Sequence, residues 1–132
     1  AKSTKELQPT VISYTIGIDA FSDRGKPREA ERLLRIMLAD DNVRKVDEYP
    51  FCSVLNAYAK SNEVHAPKKC LRLLRDSREA LLVRYKVGRD WWEKNVNRMY
   101  AIVIDAFAKR GQAPEAEKLL NVLMQDEKVV PR

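Results

Sequence analysis

Apolar side chains recur along this chain at the spacing i, i+3, i+4, i+7, which collects them on one face of an α-helix. The sets are Tyr14, Gly17, Ile18, Phe21, then Phe51, Val54, Leu55, Tyr58, then Tyr100, Val103, Ile104, Phe107. Each is followed by a second set: Ala30, Leu33, Leu34, Met37 with Leu38, then Cys70, Leu73, Leu74 with Leu81 further on, then Ala116, Leu119, Leu120, Leu123 with Met124. The pattern predicts a unit of two amphipathic helices, and the unit recurs. Ile18-Asp19-Ala20-Phe21 and Ile104-Asp105-Ala106-Phe107 are near copies, with Leu55-Asn56-Ala57-Tyr58 between them. Internal repetition of this kind outranks other local signals.

The turns within the units agree. Arg24-Gly25-Lys26-Pro27 and Arg110-Gly111-Gln112-Ala113-Pro114 put Gly where a first helix ends in a left-handed residue and Pro where a second begins. The middle unit has Asn62 there, the next-best residue for that conformation, and a longer turn before Pro67.

Taken in order, residues 1–10 read as the end of a preceding unit, 11–47 as repeat one, 48–96 as repeat two and 97–132 as repeat three. Helices are expected at about Val11 to Asp23, Pro27 to Leu38 and Glu48 to Ser61, with a polar connector from Val43 to Glu48. Gly17 is costly inside a helix by about 1 kcal/mol relative to Ala, which a close backbone approach would explain. The step from Phe51 to Tyr100 is longer than that from Tyr14 to Phe51, so repeat two carries an insertion at about 75–95. That insertion holds Trp91 and Trp92, which point in different directions on any regular element; they are the candidates for docking a protein partner. No polar terminal cap is recognisable at either end, and the chain reads as a fragment of a longer array.

Composition narrows the function. The formal charge of +6 favours a polyanionic partner. On the second helix of repeat one, Arg28, Glu31, Arg32 and Arg35 lie away from the apolar stripe and read as a solvated outer face. Cys52 and Cys70 lack metal-ligand spacing, and Cys70 stands where the other units have Ala, as a buried thiol would. No apolar run is long enough to span a bilayer, so no membrane insertion is expected. The single His65 lies in a predicted loop without an acid partner, and Asp19 and Asp105 recur at repeat spacing as architectural residues. No catalytic residues, metal ligands or cofactor motif are expected, and the chain does not read as an enzyme.

The aromatic opening each first helix, the Ile/Leu-Asp/Asn-Ala-Phe/Tyr run, the Lys near the helix end, the turn Gly and the Ala-x-x-Leu-Leu of the second helix together resemble the pentatricopeptide repeat family. The Leu-Gly and Trp signature of the tetratricopeptide repeat is not met. The resemblance implies an all-α fold, an α-solenoid of antiparallel helical hairpins wound as a right-handed superhelix of about three repeats. It further implies a concave groove of first helices that holds single-stranded RNA, read one base per repeat. Carried onto this chain, the base-reading residues are Thr15 with Asp47, Cys52 with approximately Val96, and Ala101 with Arg132. Thr15 with Asp47 is a pairing the family associates with guanine; Cys52 and Ala101 cannot read a base edge strongly. The stacking positions fall on Ile12, Tyr49 and Arg98, and the phosphate-contacting lysines on Lys60 and Lys109, with Asp23 reversing the charge in repeat one. The implied function is organellar RNA metabolism or translation, in mitochondrion or plastid. The alternative is a scaffold subunit of an organellar ribonucleoprotein complex that binds other proteins, or RNA without base readout.

Overall fold

The computed structural model describes residues 10–128, and for 126–128 the backbone alone. The expected end of a preceding unit and the reading partner Arg132 lie outside the described residues. Six α-helices are present among these: α1 (Val11–Asp23), α2 (Pro27–Ala39), α3 (Tyr49–Lys60), α4 (Ala66–Glu79), α5 (Arg89–Lys109) and α6 (Ala113–Lys128), with a π-helical turn (Ala80–Arg84) extending α4. They pair as the hairpins α1–α2, α3–α4 and α5–α6. The fold is an all-α solenoid of helical hairpins.

Local chemistry sets the helix ends. Thr10 caps α1 through a reciprocal pair: its hydroxyl accepts from the Ser13 amide at 3.3 Å, and its own amide donates to Ser13 Oγ at 2.7 Å. Gly25 and Gly111 have φ of 70° and 72°. At each, the amide one residue on reaches back to the Phe21 or Phe107 carbonyl at 2.9 Å, closing a Schellman motif. Asn62 does not follow suit, contrary to its sequence reading, since Lys86 is the one described non-glycine residue with positive φ. In the middle unit Ser61 turns the chain in extended conformation, its hydroxyl donating to the Tyr58 carbonyl at 2.8 Å. The guanidinium of Arg110, from the next repeat, then donates to the Ser61 and Glu63 carbonyls at 2.7 and 2.8 Å. With those carbonyls served from outside, the turn needs no left-handed residue.

The two rows of helices pack differently. α1 lies against α3 and α3 against α5, while each second helix rests on its own first helix and, for α2 and α4, on the following one. The second helices make little direct contact with each other, so the first helices form the closer-spaced inner layer. Between the layers lies one apolar core including Ile18, Leu34, Phe51, Leu55, Leu73 and Val103. Gly17 is where Leu33 of α2 meets α1: a Cβ there would stand 3.0 Å from Leu33 Cδ1, the close approach its position suggested. The connector after α2 is less polar in effect than its sequence, because Val43 is buried as a plug in the core.

The surplus length of repeat two is helical. It lengthens α4 through the π turn and starts α5 at Arg89, so the repeat boundary at 96/97 falls inside one continuous helix. Trp92 is 2% exposed and joins the core, with the Arg78 guanidinium 6.0 Å from its ring centre. Of the expected docking pair, only the partly buried Trp91 keeps an accessible surface.

Candidate nucleic-acid interface

The inner layer presents the same repeat position three times, on α1, α3 and α5. Ile12 is 73% exposed and Tyr49 53% exposed, and Arg98 is exposed in the third place. These are the expected stacking residues: an aliphatic, a phenol and a guanidinium, two of them with flat faces suited to bases. Arg98 also donates to Glu48 at 2.9 Å, a contact between successive first helices that holds it in place.

The expected base-reading residues are placed unequally. Thr15 is partly buried, and its hydroxyl donates to the Val11 carbonyl at 2.7 Å, which leaves it free only as an acceptor. Asp47 is exposed; one of its oxygens accepts from the Tyr49 amide at 3.2 Å, starting α3. Cys52 is 9% exposed, and burial followed by the charge of Glu48 pushes its thiol up to about 11. Ala101 is exposed but has no polar group. Val96 is 5% exposed within the core, where its side chain cannot reach a ligand, which corrects its assignment as a reading partner.

A cleft of about 220 Å³ opens between α1 and α3, lined among others by Asp19, Ser22, Tyr49, Ser53, Asn56 and Lys60. Ser53 donates to Asp19 at 2.7 Å and stands 3.2 Å from the Ser22 hydroxyl. Asp19, hydrogen-bonded to the Tyr49 hydroxyl, pushes that phenol above its ordinary range. This network was missed from sequence; its one visible signal is Ser53, polar where the other units have Ile16 and Ile102.

The lysines expected to contact phosphate also differ. Lys60 is exposed and makes no ion pair among the described residues, whereas Lys109 pairs with Asp105 at 2.9 Å. Asp23 is exposed in the corresponding place on α1. The groove is therefore close to neutral over repeats one and two.

Residues 12–41 and 98–126, the first and third hairpins, match the PPR repeat profile. The chain carries pentatricopeptide repeats. It is also 29% identical over 119 residues to a chloroplastic pentatricopeptide repeat-containing protein of Arabidopsis thaliana, a match that covers 90% of this chain and 12% of that protein. The chain thus spans about an eighth of the length of this curated relative. Pentatricopeptide repeats are associated with RNA metabolism and are not catalytic units. Among the described residues no group of His, Cys, Asp or Glu is disposed to hold a metal, and no helix is long and apolar enough to cross a membrane.

Proposed function

We propose that the inner layer of first helices binds single-stranded RNA, within a longer array that acts in organellar RNA metabolism or translation. The observation that carries this reading is the recurrence of one exposed position, Ile12, Tyr49 and Arg98, along three adjacent helices. Such a row offers successive bases a stacking surface at repeat spacing, with Lys60 supplying an unpaired cation beside it. Base preference is concentrated at Thr15 with Asp47; repeats two and three hold the strand without reading it strongly. A mitochondrial or plastid location accords with the chloroplastic relative.

The test is titration of labelled single-stranded RNA against the full chain by fluorescence anisotropy. Tyr49→Ala is expected to weaken binding by about 1–3 kcal/mol, the worth of one stacked base. No affinity for single-stranded RNA at low salt would refute the proposal. A scaffold role is favoured by the poor reading chemistry of Cys52 and Ala101. Under that reading Thr15→Ala and Asp47→Ala leave RNA binding without a change in base preference, and Trp91→Ala releases a protein partner.

A further inference from the structure

Over the helices of the first two hairpins the excess positive charge lies outside the groove. Over α1 and α3, Lys60 stands against Asp19 and Asp23. Over α2 and α4 of the same two repeats, eight Lys and Arg stand against Glu29, Glu31, Asp76 and Glu79. The inner helices thus carry −1 and the outer helices +4.

Much of the acid on the outer face is already engaged. Glu31 is held by the Tyr58 hydroxyl and by Arg35 at 2.6 Å, and Asp76 by Arg35 at 2.8 Å. Four cations remain: Arg32, Lys68, Arg72 and Arg75 are exposed and make no ion pair among the described residues. Lys68, Arg72 and Arg75 follow i, i+4, i+7 along one face of α4, so neighbouring charges lie roughly 4.5–6 Å apart along the axis. Arg72 shares a cleft of about 210 Å³ with Arg28 of α2, which brings the two basic rows side by side.

We infer that the outer face of α2 and α4 is a second polyanion-binding surface, one that grips the phosphate backbone of base-paired RNA. Closely spaced, unpaired cations are what counterion release requires. The exposed aromatic among the described residues is Tyr49, on the other face of the array. The outer rows therefore offer no aromatic platform for unstacked bases, and a duplex, whose bases are stacked inside, presents the backbone that these cations can hold. The surface stands independently of the groove, so either can fail without the other.

The test is fluorescence anisotropy of a labelled 20-base-pair RNA duplex, in parallel with a single strand, against the full chain at several salt concentrations; the duplex length is about two helical turns. Four phosphate contacts give a slope of log K on log salt near −3.6, or about a 150-fold loss of affinity between ~50 and ~200 mM salt. The variant Arg32→Gln/Lys68→Gln/Arg72→Gln/Arg75→Gln, whose fold is checked by its circular dichroism melt, is expected to lose duplex affinity by at least about tenfold at low salt and most of the slope. Its single-strand affinity changes little, and Lys60→Gln shows the reverse pattern. Three results overturn the inference: no duplex binding by the parent at low salt, duplex affinity of the variant within about twofold of the parent, or binding to phosphatidylserine vesicles without duplex binding.

Discussion

Trp92→Ala separates packing from docking in the aromatic pair. Trp92 is 2% exposed, belongs to the core that joins α4 to α5, and lies 6.0 Å from the Arg78 guanidinium. Removing an indole from such a site costs about 3–5 kcal/mol, the transfer term plus the cavity left when neighbours relax only partly. The ring's contact with Arg78 adds about 0.5–1 kcal/mol if the cation is well placed. For a domain of this length 1 kcal/mol shifts Tm by about 3–5 °C, so Trp92→Ala should melt roughly 10–20 °C below the parent. Trp91→Ala, at a partly buried site, should cost about 1–2 kcal/mol at most. The measurements are thermal and urea unfolding by circular dichroism. Trp91→Phe adds a spectroscopic check, because it leaves Trp92 as the sole tryptophan. Its emission should resist iodide quenching until the chain unfolds. A Trp92→Ala variant within about 1 kcal/mol of the parent would refute the packing argument. So would a Trp92 fluorophore as quenchable as a free indole. The same numbers bear on the scaffold reading: a partner lost on replacing both residues would report unfolding, so only Trp91 tests docking.

Two glycines of different geometry should respond differently. Gly25→Ala, at φ 70°, should destabilise by about 1–2 kcal/mol because no side chain relieves a left-handed backbone. Gly17→Ala gains about 1 kcal/mol of helix propensity and loses a similar amount in displacing Leu33 Cδ1 from 3.0 Å, so its urea midpoint should stay close to the parent's. Burial raises the Cys52 and Cys70 thiols from 9.0 to about 11 and about 12. The folded chain therefore keeps protons that the unfolded chain releases: stability is full below pH 9 and falls as the pH rises toward those values. Urea midpoints should drop between about pH 9 and pH 11, and both thiols should stay inert to a thiol reagent in the native protein; ready labelling at neutral pH would refute this.

The fold was legible because its driving force is periodic. Ile18, Leu55 and Val103 lie at the bottom of the core for the same reason that they recur at helical spacing, and Gly25 and Gly111 end helices by a rule that acts over six residues. What was not legible depends on residues far apart in the chain. Asn62 looked like a left-handed cap until Arg110, from the next repeat, took over the carbonyls of its neighbours Ser61 and Glu63. Val43 looked polar by its neighbours and is buried through contacts its neighbours do not make. The groove residues could be placed by their position in the unit, but not their state. Nothing in the local sequence says that Asp19 holds both Ser53 and Tyr49, or that Val96 faces inward. The outer arginines read as an ordinary solvated face because a sequence does not show which cations are already paired.

Pairing also decides how much of the +6 charge is available to a ligand. Arg28 reaches from repeat one to Glu63, Arg35 to Asp76, Arg84 back to the Asp40 carbonyl at 2.8 Å, Arg98 to Glu48 and Arg110 to Ser61 and Glu63. Every one of these contacts crosses a seam between hairpins. A guanidinium offers several donors in a rigid fork, so at a seam it fixes the position of one hairpin on the next in a way that a lysine would not. The cations spent there set the pitch of the array and are poor candidates for phosphate, since binding would have to break a structural contact first. Among the cations left by the seams are Lys60 in the groove and the row of Arg32, Lys68, Arg72 and Arg75 outside. Net charge alone would have assigned the whole excess to the groove; the seams remove part of it, and over the first two hairpins the unpaired row lies on the opposite face.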